Sequence, residues 1–133
     1  MALVVLDASV VIAFLDPDDA VHGAAVAAFT EHQHDELVIP NSAFAEILVA
    51  PHRRGAEAVF EVDAFVSDFA VRLEALTPPI AQAAAKLRSE TRSLRLPDAL
   101  VLATADQLEA AAVLTGDESW ARISGRVRLI QRR

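Results

Sequence analysis

The 133-residue chain has no cysteine. That absence removes disulfides, thiolate metal sites and cysteine nucleophiles together, and it suits a reducing cytosol. No apolar run approaches the roughly 18 residues that a membrane span requires. The apolar start from Ala2 to Leu6 lacks a basic flank and is cut at Asp7, so it does not read as a secretory signal. Repeats, low-complexity tracts and Gly/Ser linkers are missing as well. The chain is therefore expected to be soluble and cytoplasmic, with residues 1–133 forming one domain.

Positive charge is also scarce: 12 Lys and Arg stand against 19 Asp and Glu, a formal net charge of -7. Proteins that grip nucleic acid usually carry a basic footprint. Four of those negative charges belong to the acids singled out below, which leaves -3 elsewhere. Bound divalent cations would invert the local field there. What the chain does have is a 53% hydrophobic, 23% charged composition, hence a globular one. Its many alanines suit closely packed helices.

Short apolar runs alternate with longer helical patterns. Leu3 to Leu6 reads as a buried strand, and Ala8 to Leu15 as a helix stopped near Pro17. A second helix is expected from Asp18 to His32, with Val21, Ala24, Ala25, Ala28 and Phe29 on one face. Leu37 to Ile39 is a strand ended by Pro40, after which Asn41 or Ser42 caps a helix carrying Glu46. Gly55 breaks the chain before a helix from Ala56 to Phe69, with an apolar stripe of Val59, Phe60, Phe65, Val66 and Phe69. Val71 to Leu76 alternates as a strand, and Thr77-Pro78-Pro79 opens a helix to Arg92. Leu96-Pro97-Asp98 opens another, Ala99 to Glu109. Ala112 to Thr115 is a strand, Gly116-Asp117 a turn and Val127 to Ile130 the last strand. This order predicts a three-layer α/β/α sandwich around a mostly parallel, short-stranded sheet.

In such folds ligands bind beyond the carboxyl ends of the strands. Asp7 follows the first strand, Asp117 follows the strand ending at Thr115, Asp98 opens a helix, and Glu46 lies about one turn into another. Four acids from distant segments are thus expected at one rim. Each has a plainer reading. Asp7, Asp98 and Asp117 are residue types that cap helices or make turns. Glu46 is the only charge in Ala43-Phe44-Ala45-Glu46-Ile47-Leu48-Val49-Ala50, costly to bury without a partner, and Arg53 or Arg54 could supply one. Gathered carboxylates repel unless a cation separates them, and an all-oxygen set suits Mg²⁺ or Mn²⁺. The reaction class this suggests is phosphodiester hydrolysis. Ser9, Thr115 and Ser42 are candidate supporting donors.

The segments Val5-Leu6-Asp7-Ala8-Ser9, Ser42 to Ile47, Leu96 to Ala105 and Leu114 to Trp120 resemble the acidic motifs of the PIN-domain nucleases. Length and motif order resemble the VapC toxins of bacterial toxin–antitoxin pairs, over essentially the whole chain. The resemblance implies a Mg²⁺- or Mn²⁺-dependent endoribonuclease cutting structured RNA, such as tRNA or ribosomal RNA, to leave a 5′-phosphate. It implies a homodimer inhibited by a VapB-type antitoxin. It also assigns Asp7, Glu46, Asp98 and Asp117 as the acidic quartet, with Ser9 and Thr115 as supporting hydroxyls. Gly116 stands where many members carry Asn or Asp, which leaves one ligand fewer for a second metal. A PIN-like module that binds RNA or protein without turnover is the competing reading.

Arg88, Arg92 and Arg95 are spaced to share a helix face, and Arg53 and Arg54 follow the Glu46 helix. Both groups are candidate phosphate contacts or plain solvated charge. Arg132-Arg133 is too short a basic run to read. His22, His32, His34 and His52 lack zinc-like pairing and are expected at the surface.

Overall fold

The computed structural model describes residues 1–131, so the terminal Arg132-Arg133 lies outside the described residues. Five strands form one all-parallel sheet: β1 (Leu3–Leu6), β2 (Glu36–Pro40), β3 (Arg72–Glu74), β4 (Ala112–Thr115) and β5 (Val127–Leu129), in the order β3-β2-β1-β4-β5. Six α-helices link them: α1 (Ala8–Leu15), α2 (His22–Glu31), α3 (Asn41–Arg54), α4 (Ala56–Asp68), α5 (Pro78–Glu90) and α6 (Leu96–Gln107). In the central strand Val4, Val5 and Leu6 are all buried, so both faces of the sheet are covered. That explains why β1 reads as a continuous apolar run and not as an alternating one. The α/β layering expected from the alternation is the one observed. No helix among the described residues is long and apolar enough to cross a membrane.

The boundaries moved for local reasons. Helix α2 starts at His22 and not Asp18, because the Asp16 and Asp19 carboxylates accept the amides of Asp18 and Val21 and hold a turn there. Helix α3 begins at Asn41 with Pro40 at its cap, so neither Asn41 nor Ser42 caps it. Helices α4 and α6 stop one and two residues early. Ala70 (φ 49°) and Glu109 (φ 52°) take the left-handed conformation after them, and the amides of Val71 and Ala110 return to Val66 and Ala105. Glycine normally signals that ending; two non-glycine residues hid it. Strand β3 is only three residues long, so the predicted Val71–Leu76 strand was too generous. Helix α5 ends at Glu90, which takes Arg92 and Arg95 off the helix face they were expected to share with Arg88. Gly55, at φ 123°, is the one sharp break the sequence did announce.

A four-phenylalanine cluster of Phe14, Phe29, Phe65 and Phe69 joins α1, α2 and α4, with ring centroids 4.6 to 5.5 Å apart. Phe60 was expected in that stripe but is 71% exposed; Val62 takes the inward position instead. His22 and His32 are not simple surface residues. The His22 ring bonds the Ala13 carbonyl at 2.8 Å, and His32 pairs with Asp35 at 2.9 Å.

Candidate active site

Sequence order reverses around β1. Strands β2 and β3 build outward on one side, and β4 and β5 on the other. The carboxyl ends of β1 and β4 therefore flank the crevice where such sheets place ligands. Leu6 pairs with Leu114, which sets Asp7 beside Thr115, and the Asp7 amide bonds the Leu114 carbonyl at 3.0 Å.

Asp7 is the inner acid, only 8% exposed. Its Oδ2 accepts the Ser9 hydroxyl at 2.7 Å and the Thr115 hydroxyl at 2.9 Å. Ser9 Oγ in turn accepts the Gly116 amide, and Thr115 Oγ1 the Asp117 amide, both at 3.1 Å. The two ends of β1 and β4 are thereby laced together through one carboxylate. Burial pushes the Asp7 pKa up, and the Ser9 and Thr115 hydroxyls oppose that rise. Asp7 begins α1, yet its side chain is spent on these hydroxyls and makes no helix-capping bond.

The other three acids are more open. Asp98 is the third residue of α6, whose cap is Arg95, so Asp98 is not the cap itself. Its side chain is 17% exposed, and its Oδ2 lies 3.6 Å from Arg95 Nε. Partial desolvation raises its pKa; Arg95 opposes, while Asp7 and Asp117 add to the rise. Glu46 is exposed on α3 and not buried as its apolar surroundings suggested. Among the described residues it forms no ion pair with Arg53 or Arg54, which belong to the last turn of the same helix. Its pKa is raised by partial desolvation first, then by the charges of Asp7 and Asp98. Asp117 is exposed, and its Oδ1 accepts the Ser119 amide (2.9 Å) and hydroxyl (2.6 Å). It caps a short 3-10 helix, Glu118–Arg122, that the sequence did not reveal. Buried Trp120 anchors that turn, and its indole nitrogen has no hydrogen-bond partner among the described residues.

The four acids thus lie on one edge, near enough for Asp98 to feel Asp7 and Asp117, and Glu46 to feel Asp7 and Asp98. Among the described residues, however, no three His, Asp or Glu side chains are gathered into a ready-made metal cage. Asp117 Oδ1 accepts from Ser119, and Asp98 lies near Arg95. The donor set itself is all oxygen, the type that hard divalent ions prefer. Ser9 and Thr115 both bond Asp7, whereas no such bond joins Ser42 to Glu46 among the described residues. The residue that sequence reading undervalued is Arg95. Its signal was its place three residues before Asp98, the spacing of a first-turn ion pair.

Against known proteins, residues 4–126 match the model of the PIN domain. Among curated sequences none matches closely enough to count as a relative. Solved structures are similar in fold. The Mycobacterium tuberculosis toxin VapC20, described as cleaving the sarcin-ricin loop, superposes with a TM-score of 0.75 at 20% identity, covering 90% of this chain and 93% of that one. A Klebsiella pneumoniae toxin–antitoxin complex gives 0.74 at 21% identity, with 98% of each chain covered. FitAcB from Neisseria gonorrhoeae gives 0.73 at 19% identity, with 96% of each covered. With the parallel sheet, the acids at its switch point and a family match over nearly the whole length, this chain belongs to the PIN-domain family.

Proposed function

We propose that the chain is a Mg²⁺- or Mn²⁺-dependent endoribonuclease, the toxin of a VapBC-type toxin–antitoxin pair, cutting tRNA or ribosomal RNA in the cytoplasm. The observation that carries the reading is the convergence of Asp7, Glu46, Asp98 and Asp117 on the edge formed by the carboxyl ends of β1 and β4, with Asp7 locked by two hydroxyls. The similar structures, a sarcin-ricin-loop-cleaving toxin and a toxin–antitoxin complex, support it.

Asp7 and Asp98 would hold the ion, with Glu46 and Asp117 completing an oxygen set. When bound, such an ion neutralises charge on a phosphoryl group and lowers the pKa of a water. Asp7 contributes position: its carboxylate cannot rotate without breaking the bonds to Ser9 and Thr115. Glu46 contributes a proton acceptor, since its open setting lets water reach it. Water adds to phosphorus and loses a proton to the Glu46 carboxylate; the bond to the 3′-oxygen breaks, and that oxygen takes a proton from solvent. The product carries a 5′-phosphate.

The partners that fit are a second copy of the chain and a VapB-type antitoxin. A PIN-like binding module without turnover is the second reading, favoured by the open state of the acid cluster. Purified protein incubated with a tRNA pool separates the two. Cleavage with Mg²⁺, abolished by EDTA and by Asp98→Asn, is the expected result. RNA that stays intact at every Mg²⁺ and Mn²⁺ concentration, while still bound, selects the module. Sequencing RNA 5′ ends after induced expression would then identify the substrate.

A further inference from the structure

Two arginines are engaged with partners outside the acidic quartet. Arg72 pairs with Glu36 and Glu74, and Arg126 with Asp106 and the Ala110 carbonyl. Arg95 is different. Its backbone is fixed, because it caps α6 and follows the buried Leu94. Its side chain is open to solvent: it is 77% exposed, and its contact with Asp98 Oδ2 at 3.6 Å is longer than a hydrogen bond. Glu46 and Asp98 both feel its positive charge. In a chain of net charge -7, it is a cation placed where a phosphate must approach four acids.

We propose that Arg95 is a phosphate-binding residue of the acidic edge, held by Asp98 in this structure and transferred to the RNA backbone once a divalent ion binds beside Asp98. The inference rests on the nuclease reading of that edge. An exposed ion pair of this kind is weakly held, so a doubly charged ion displaces it readily. The released guanidinium presents a planar fork of donors that matches two phosphate oxygens. Arg95 thereby exchanges one anion for another without leaving the site, and it offsets repulsion between the RNA and the acids.

The test compares wild type, Arg95→Gln, Arg95→Lys and, as a charge control, Arg92→Gln. Mg²⁺ affinity is read from metal-dependent thermal shifts, and affinity for a tRNA pool is measured in Ca²⁺ by filter binding. Arg95→Gln is expected to bind Mg²⁺ about threefold more tightly, because a competitor for Asp98 is gone. It is expected to bind RNA about tenfold more weakly. Arg95→Lys should restore only part of the RNA affinity, since an ammonium lacks the fork. Arg92→Gln should leave both readouts unchanged. RNA affinity unchanged in Arg95→Gln, or equally weakened in Arg92→Gln, overturns the phosphate role; an unchanged Mg²⁺ midpoint overturns the exchange at Asp98. A wild type with both dependences but no cleavage in Mg²⁺ sinks the nuclease reading instead, and leaves the placement of Arg95 standing.

Discussion

The acidic edge divides into an inner and an outer region that solve opposite problems. The inner one is Asp7 with Ser9 and Thr115: buried, hydrogen-bonded and wedged between the ends of two adjacent strands. The outer one is Glu46, Asp98 and Asp117, carried by helix starts and a turn, more open to water and partly engaged elsewhere. Precision comes from the sheet, whose backbone cannot shift without breaking its ladder. The periphery is less constrained: Asp117 bonds Ser119, Asp98 lies near Arg95, and no closed cage of acids is present among the described residues.

The sharpest way to break the contrast is Asp7→Asn. Cleavage of a tRNA pool is expected to fall by about a thousandfold or more, yet in metal-free buffer at neutral pH the protein should melt at a higher temperature than wild type. The cause is removal of a charge that burial disfavours. A melting temperature below wild type under those conditions would show that burial of Asp7 carries no electrostatic cost.

Next in size is Thr115→Val, which keeps shape and deletes both a donor to Asp7 and the acceptor of the Asp117 amide. A buried carboxylate short of a partner is expected to cost about 1–3 kcal/mol in urea unfolding. The same hydroxyl-to-methyl change is not available at Glu46, where no hydroxyl bond exists to lose. Glu46→Gln should therefore not destabilise the protein in urea unfolding while slowing cleavage by about a hundredfold. If both substitutions shift unfolding equally, the inner and outer regions are not distinct.

The pH dependence of stability tests Asp7, Glu46 and Asp98 at once. Asp7, Glu46 and Asp98 have pKa values raised on folding, so the folded chain holds their protons more tightly than the unfolded one. Their stabilising contribution is complete below the ordinary carboxylate value, about 3.9 for Asp and 4.3 for Glu. It is lost as pH climbs through the raised folded-state values. In EDTA, thermal melts are expected to show stability declining above that range, and Asp7→Asn should flatten the decline. Saturating Mg²⁺ should suppress it, because a bound ion favours the charged carboxylates.

The smallest effect is expected at Gly116. A Cβ there meets Ser9 Oγ at 3.7 Å and Ile130 at 4.0 Å, ordinary contacts with room for a side chain. Gly116→Asp should fold with a stability change under about 1 kcal/mol and tighten Mn²⁺ binding, measured by calorimetry. Loss of folding would mean that the position is sterically closed.

How much of this was legible beforehand follows from the range of each interaction. The alternation of apolar runs with helical patterns, the strand-end position of Asp7 and the break at Gly55 are local, and local pattern is what a sequence displays. Order among the acids along the chain was enough to put them on one edge once a parallel sheet was assumed. The details that failed were those in which a neighbour overrode propensity. Asp16 and Asp19 held a turn inside an expected helix, and Ala70 and Glu109 took a conformation usually left to glycine. Phe60 faced solvent because Val62 had the inward register.

What the residues determined alone was the layered α/β architecture and the identity of the acids, because periodicity and chemistry are written along the chain. What only the tertiary structure decided was which acid is buried and which is open. Burial and charge–charge distance depend on segments up to 108 positions apart in the chain, as the bond from Thr115 to Asp7 shows. No local pattern encodes a separation of that length; packing does.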